Sequence, residues 1–414
     1  MPRLLRCAYP IPERVRQGSQ TSGASSGLTA WVDPWILLPA LGLVLLGTLL
    51  VWSASAAIGL ERYQDLHYFV KRHLLHLSLG LAAMAATACL PYTQWRPLAY
   101  PLLLGSLLLL VLVLVAPWGK EVGGARRWLS FRRVSFQPAE LSKLALCLYL
   151  AHSLPRKGER LQEFVLGLLP YLLILGSLCL LLLLQPDLGS ALLLMSMAFL
   201  LLFIAGVRPV YLFFSLLSIA PLLWAAIHQV DYRWRRILAF LDPWRDPTDS
   251  GFQIIQSLLA LERGGLWGVG WGQGIQKLFY LPEPHTDFLL AIAGEEVGLV
   301  GLLFILGLFG TLVGRGFWIA LRSPDPYGQL LALGITLSIA IQGSIHLGVV
   351  VGLLPTKGMP FPFMSSGGSA LLVTLIGTGI LLSLSRAINP MERGTPALRE
   401  FKREKRRSEI SYTP

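Results

Sequence analysis

Apolar runs of about spanning length alternate with short polar breaks along most of this chain. Ten such runs can be placed, at about 35–56, 72–90, 98–116, 138–153, 165–184, 188–206, 209–228, 289–314, 328–350 and 368–387. A membrane-crossing helix needs roughly 20 mostly apolar residues. The runs do not alternate at every second residue, as the strands of a membrane β-barrel would. The pattern therefore predicts an all-α polytopic membrane protein with about ten transmembrane helices. The fourth run is short and polar at its start. Only Gln185-Pro186-Asp187 separates the fifth from the sixth, which predicts a tight helical hairpin with Asp187 capping the sixth helix.

The polar remainder sets the organisation. Residues 1–32 are rich in Arg, Ser and Gly and read as a disordered tail; 33–390 form the membrane domain, and 391–414 a second, strongly basic tail. Ser53-Ala-Ser-Ala56 resembles a signal-peptidase site, but the preceding apolar run is too long and starts too far from Met1. The segment 229–288, between the seventh and eighth spans, is the long exception to short connections. It predicts an amphipathic helix over 253–261 and then carries a Gly-rich run from Gly264 to Gly274. Its Trp, Tyr and Phe content favours an interfacial structure over disorder. The Gly run is no dinucleotide fingerprint, because no strand precedes it.

Composition agrees with the pattern. Hydrophobic residues are 54% of the chain, charged residues 14%, and mean hydropathy is +0.60; soluble domains carry about 25% charge. The four cysteines, Cys7, Cys89, Cys147 and Cys179, show neither metal spacing nor a disulfide framework. No cofactor is evident, and a divalent cation is left undecided. No nucleic-acid partner is expected. No internal repeat is visible, which disfavours the inverted-repeat architecture of transporters.

The net charge of +12 bears on orientation. Both tails are basic, and an even number of spans would place both in the cytoplasm. The connections 117–137, 229–288 and 351–367 then lie outside. They also carry cations, among them Arg126, Arg127, Arg233, Arg236 and Lys357. Those charges read either as tolerated decoration or as a basic surface that draws in an anionic substrate.

Carboxylates in or beside spans are expensive and so point to function. Asp287 stands where a polar loop, Pro282-Glu-Pro-His-Thr-Asp287, meets the eighth span, and Glu295 and Glu296 follow within two turns. Glu140 and Lys143 lie three apart on one face of the fourth helix, close enough to pair. That pair serves either helix packing or a substrate cavity. Between the last two spans, Pro355-Thr-Lys357-Gly and Ser365-Ser366-Gly-Gly-Ser369 predict a re-entrant loop that presents Lys357 to a cavity, since irregular backbone at membrane depth must be covered. His285 and His346 have no metal-type spacing.

Taken together, several motifs resemble the SEDS family of shape, elongation, division and sporulation proteins. They are Trp52-Ser-Ala-Ser55, Gly124-Ala-Arg126-Arg127-Trp128, Phe136-Gln-Pro-Ala-Glu140-Leu-Ser-Lys143, Gln185-Pro-Asp-Leu-Gly189, the stretch from Gln276 to Asp287, Glu295-Glu296, and Pro355-Thr-Lys357-Gly358 followed by Gly367-Gly-Ser369, in order over 33–390. The Pro-Thr-Lys-Gly and His-Thr-Asp-Phe forms resemble its division (FtsW-like) branch. His346 stands where the family usually has Asn, and Ser366 where it usually has Tyr.

The resemblance implies a peptidoglycan glycosyltransferase of the bacterial cytoplasmic membrane that polymerises lipid II on the outer face. It implies Asp287 as catalytic base, with Glu140, Lys143, Arg126, Arg127, Trp128, Lys357, Glu295, Ser365 and Ser366 toward substrate. It further implies a class B penicillin-binding protein as transpeptidase partner, among other division or elongation proteins. A lipid II flippase and a non-catalytic division scaffold are the alternatives.

Overall fold

The computed structural model describes residues 32–392, apart from 118, 123–124, 132–133, 229, 249–250 and 279. The tails read at 1–32 and 391–414 lie outside the described residues except at their innermost ends. A helix covers each predicted span: α1 (Pro34–Tyr63), α2 (Tyr68–Cys89), α3 (Ala99–Val115), α4 (Pro138–Lys157), α5 (Leu169–Leu184), α6 (Leu188–Ile204) and α7 (Pro209–His228). Two shorter helices follow, α8 (Asp231–Leu241) and α9 (Phe252–Gly264), then α10 (Leu289–Arg322), α11 (Pro326–Val350) and α12 (Gly368–Glu392). Among the described residues, six helices are long and apolar enough by themselves to cross a membrane; α3 and α6 are apolar but shorter. The architecture is a polytopic, mainly α-helical membrane bundle.

The bundle is built by lengthwise packing of α2 on α12, α1 on α10, α3 on α4, α4 on α11, and α5 and α11 on α6. α4 is buried over nearly its whole length, so it forms the central post. Asp33 shows why α1 starts where it does. One carboxylate oxygen accepts from Trp35 N at 3.1 Å, while Pro34 occupies the first turn. The other oxygen takes Arg315 Nε at 2.9 Å and Ser385 Oγ at 2.6 Å, fastening α1 to α10 and α12. The α5–α6 hairpin is as expected: Asp187 accepts from Ser190 N and Oγ at 3.1 and 2.8 Å.

Two features departed from the sequence pattern. The connection 117–137 contains a three-stranded antiparallel sheet, β1 (Gly119–Val122), β2 (Ala125–Phe131) and β3 (Val134–Phe136), pairing Lys120 with Trp128 and Leu129 with Phe136. In addition, α10 is broken at Gly298, whose backbone lies at φ 67°, ψ −171°. A half-helix of 289–297 precedes the break, and the long apolar stretch follows it.

The Gly-rich run repairs that break. Val269 N and Gly270 N donate to the carbonyls of Glu295 and Glu296, and Leu299 N and Val300 N donate to those of Gly265 and Leu266. The contact is backbone on backbone. A β-carbon on Gly264 would fall 1.9 Å from Gly294 O, and one on Gly268 2.2 Å from Glu296 O. Close approach of two backbone segments, not phosphate binding, is what these glycines serve.

Candidate functional site

Two irregular segments meet at the start of the α10 half-helix. Residues 281–288 lead into α10, and 351–367 join α11 to α12. Ser366 N donates to His285 O at 3.0 Å, which staples one to the other. Asp287 lies at this seam, half-buried. A β-carbon on Gly358 would stand 2.8 Å from Asp287 Oδ2, so the glycine backbone forms one wall of the carboxylate's position. On the other side of the same loop, a β-carbon on Gly189 would meet Lys357 Cδ at 3.3 Å and Met359 Sδ at 3.2 Å. The N-terminus of α6, with its Asp187 cap, is thereby placed against Lys357.

The strand β2 divides its arginines by alternation. Arg126 turns to the end of α3 and donates to the carbonyls of Leu114, Ala116 and Gly119 at 3.0, 3.3 and 3.3 Å, satisfying carbonyls that a helix end leaves unpaired. Arg127 turns the other way and donates to the carbonyls of Gln185 and Pro186 at 3.2 and 2.6 Å. Trp128, half-buried, sits opposite Lys120 in the ladder. From α8, Arg236 donates to Thr356 O at 2.8 Å and Arg233 to Ala226 O at 2.6 Å. Arg233 and Arg236 share a helix face at i, i+3 spacing.

These charges act on one another. Burial pushes the Asp287 carboxyl up to about 7, with Glu283 adding to the rise and a Thr286 hydrogen bond, Arg236 and Arg127 opposing it. Burial brings the Lys357 ammonium down to about 8; Asp187 resists this, while Arg233, Arg236 and Arg127 reinforce it. A carboxylate and an amine titrating near neutrality within one cationic seam are suited to proton transfer and to holding an anion.

The Glu140–Lys143 pair lies deeper and is closed. Lys143 Nζ is 2.6 Å from Glu140 Oε2, with both side chains 5% exposed. Lys143 also donates to Gln342 Oε1 at 2.6 Å, and Gln342 Nε2 donates to Pro360 O at 2.8 Å. His346 Nδ1 lies 2.8 Å from Met359 O. The pair thus reaches, through α11, the loop that carries Lys357. A cavity of about 30 Å³ beside it, lined by Cys147 and Thr374 among others, has room for a water or two.

Glu295 and Glu296 are turned inward. Glu295 accepts from the backbone amides of Ile275 and Gln276 at 2.9 and 3.2 Å. Glu296 Oε1 takes Lys277 Nζ at 2.6 Å and Ser53 Oγ at 2.5 Å, and Lys277 also donates to Ser53 at 2.7 Å. Ser365 Oγ accepts from Phe361 N at 2.9 Å and stabilises the loop's own turn.

Of the residues singled out from sequence, the structure brings Asp287, Lys357, Arg127 and Ser366 to the seam. It places Glu140 and Lys143 beneath it, and gives Arg126, Glu295 and Ser365 partners within the protein. Three residues at the seam lie outside the site set that the resemblance implies: Arg233 and Arg236 read from sequence only as decoration or part of a basic outer surface, though their spacing on α8 is a signal, and Asp187 only as a cap. Lys277 could not have been paired with Glu296 from sequence. Among the described residues, no group of three or more His, Cys, Asp or Glu gathers as a metal site.

The chain as a whole is similar to known proteins. A family model described as "Cell cycle protein", covering FtsW, RodA and SpoVE, matches residues 34–389. The "Probable peptidoglycan glycosyltransferase FtsW" of Geobacter metallireducens is 48% identical over 364 residues, 88% of this chain and 96% of that one. Stage V sporulation protein E of Bacillus subtilis is 42% identical, covering 86% and 98%. Among solved structures, a chain from a peptidoglycan synthase complex aligns with TM-score 0.70 and 32% identity over 87% of this chain and 99% of that one. The rod shape determining protein RodA of Thermus thermophilus aligns with TM-score 0.64 and 31% identity over 86% and 97%. The chain belongs to the FtsW/RodA/SpoVE family.

Proposed function

We propose that this chain is a peptidoglycan glycosyltransferase that polymerises lipid II into β-1,4 glycan strands for cell division. The observation that carries the reading is the placement of the Asp287 carboxyl at the seam against the Gly358 backbone, where burial pushes it up to about 7, with Lys357 the next residue along that loop. The 4-hydroxyl oxygen of an acceptor sugar attacks the anomeric carbon of a donor as that carbon's bond to the lipid pyrophosphate breaks. Asp287 takes the hydroxyl proton, an effect worth about 10²–10⁴-fold. Lys357, with Arg127 and Arg236 near it, offsets the negative charge that grows on the departing pyrophosphate. The names of the relatives, with an FtsW at 48% identity, support division over the other branches.

The same reading sets Asp287 on the outer face of the cytoplasmic membrane and both tails in the cytoplasm. A Cys replacing Glu283 should then react with an impermeant thiol reagent on intact spheroplasts, and a Cys replacing Lys157 only after permeabilisation; the reverse would overturn the orientation. A class B penicillin-binding protein is the proposed partner, in line with the synthase complex among the structural neighbours.

The deciding experiment incubates the purified chain and its cognate transpeptidase with labelled lipid II and resolves products by size. A ladder of glycan from the wild type and none from Asp287→Asn is the expected result. Wild-type protein that moves lipid II across proteoliposomes but makes no polymer would replace this reading with transport.

A further inference from the structure

The α1–α2 turn carries a chain of aromatic rings that ends at the site. Tyr63 stacks on Tyr68 with centroids 3.7 Å apart and planes 8° apart. Phe69 meets both edge-on at 5.7 and 5.3 Å, and its other side lies 4.6 Å from the His285 ring. His285 is two residues from Asp287. The rings therefore run without a gap from the surface, where Tyr63 is 48% exposed, to the seam.

α1 has 30 residues, about 45 Å of helix, and Tyr63 is its final residue, so the row stands at the very end of that helix.

The turn is also rigid. Gln64, at φ 52°, donates to Leu60 O at 3.0 Å, and Asp65 N donates to Gly59 O at 3.3 Å. Asp65 then accepts from His67 N at 3.0 Å and Lys71 Nζ at 2.7 Å. A β-carbon on Gly59 would lie 2.8 Å from Asp65 O, so the turn closes tightly over a glycine. Rings held in advance lose little freedom on binding.

Charges flank the row. Arg72 lies over the Tyr68 ring at 5.9 Å; at the inner end Glu283 Oε2 is 3.6 Å from His285 Nε2, and Arg62 also acts on that ring. A β-linked pyranose presents a flat face of C–H bonds that packs on an aromatic ring; Tyr63, backed by the Tyr68 stack and the most exposed of the three rings, is the one with area left for it, and stem-peptide carboxylates would meet the arginines. We propose that the Tyr63–Tyr68–Phe69 row is a subsite for the growing strand, binding β-1,4-linked N-acetylhexosamine units as they leave the Asp287 seam. The proposal rests on the polymerase reading and adds a product track to it.

The test compares Tyr63→Ala/Tyr68→Ala with Tyr63→Phe/Tyr68→Phe in complex with the transpeptidase, each checked for an unchanged thermal midpoint. With labelled lipid II, the alanine pair should shorten mean strand length by roughly threefold or more, the scale of a lost aromatic contact, with a smaller fall in lipid II consumption. The phenylalanine pair should restore length. Saturation-transfer NMR with N-acetylglucosamine oligosaccharides should show contact with the wild type and the phenylalanine pair but not with the alanine pair. Wild-type strand lengths from a folded alanine pair would overturn the subsite. So would loss of transpeptidase binding in that pair, which would make the rings a protein interface. Failure of the wild type to polymerise at all would instead strike the function reading itself.

Discussion

Replacing Gly358 with alanine is a sharp probe, because the structure fixes what the new methyl group meets. The β-carbon would lie 2.8 Å from Asp287 Oδ2, about 0.6 Å short of the 3.4 Å where ordinary contact begins. Its next contacts, Asp287 Cγ at 3.4 Å and Oδ1 at 3.6 Å, are already ordinary. The atom that must yield is the free end of a rotatable side chain, so the fold should absorb the change at a cost within about 1 kcal/mol. The carboxylate must move by about the same 0.6 Å. Misplacing a reacting group by about 1 Å can cost about 100-fold, so a loss of roughly 10–100-fold in glycan formation is expected with little change in thermal midpoint. Gly176→Ala, within α5 and with no heavy atom within 4 Å, is the matched control and should keep full activity. The assay is the turnover of labelled lipid II at saturating substrate, alongside thermal unfolding in detergent. A folded Gly358→Ala protein with wild-type turnover would show that the Asp287 carboxylate is not where the chemistry happens.

Three further outcomes are expected. Folding raises the Asp287 carboxyl from 3.8 to about 7, so its contribution to stability is full below about pH 4 and is lost as pH rises through about 7; Asp287→Asn should therefore melt higher than wild type at pH 8 while making no glycan, and equal midpoints there would remove the buried-charge account. Turnover should rise through about pH 7 as Asp287 ionises and fall above about pH 8 as Lys357 loses its proton; Lys357→Arg should remove the alkaline limb, and a limb that persists would exclude Lys357 as its source. Glu140→Leu or Lys143→Leu alone should cost about 3–5 kcal/mol by stranding the buried partner, and the double substitution less than either; equal losses in denaturation of all three would show that the two charges do not act as a pair.

What could be read from the sequence was what depends on near neighbours. The Asp187 cap and the Glu140–Lys143 pair are each three residues wide, and both stand in the structure as the spacing implies. The amphipathic helix expected over 253–261 is α9, Phe252–Gly264. Helix periodicity could not reveal the break at Gly298, because that position is flanked by apolar residues and the hydrogen bonds that permit the break come from 264–270. Nor could it pair Lys277 with Ser53, 224 positions away. The sheet is illegible in the sequence for another reason. Its strands are three to seven residues long, and its role is to send Arg126 and Arg127 in opposite directions.

How the cations in and around the seam are employed separates scaffold from chemistry. Arg126 spends its donors on the end of α3, and Lys277 is matched to Glu296 and Ser53. Lys143 is matched to Glu140 and Gln342. Each is a charge that the protein itself consumes, and each holds one element against another. Lys357 differs: its Nζ is buried yet makes no hydrogen bond among the described residues. Leaving such a donor unmet costs about 1–3 kcal/mol, and more for a charge. A fold that satisfies Lys143 and Lys277 so fully could have satisfied Lys357 by the same means. Asp187 lies near enough to act on it, but gives its oxygens to Ser190 instead. The unmet ammonium, on the residue next to the Gly358 backbone that walls Asp287, is therefore a cation that the chain's own groups do not consume, which is what the pyrophosphate role proposed for it requires.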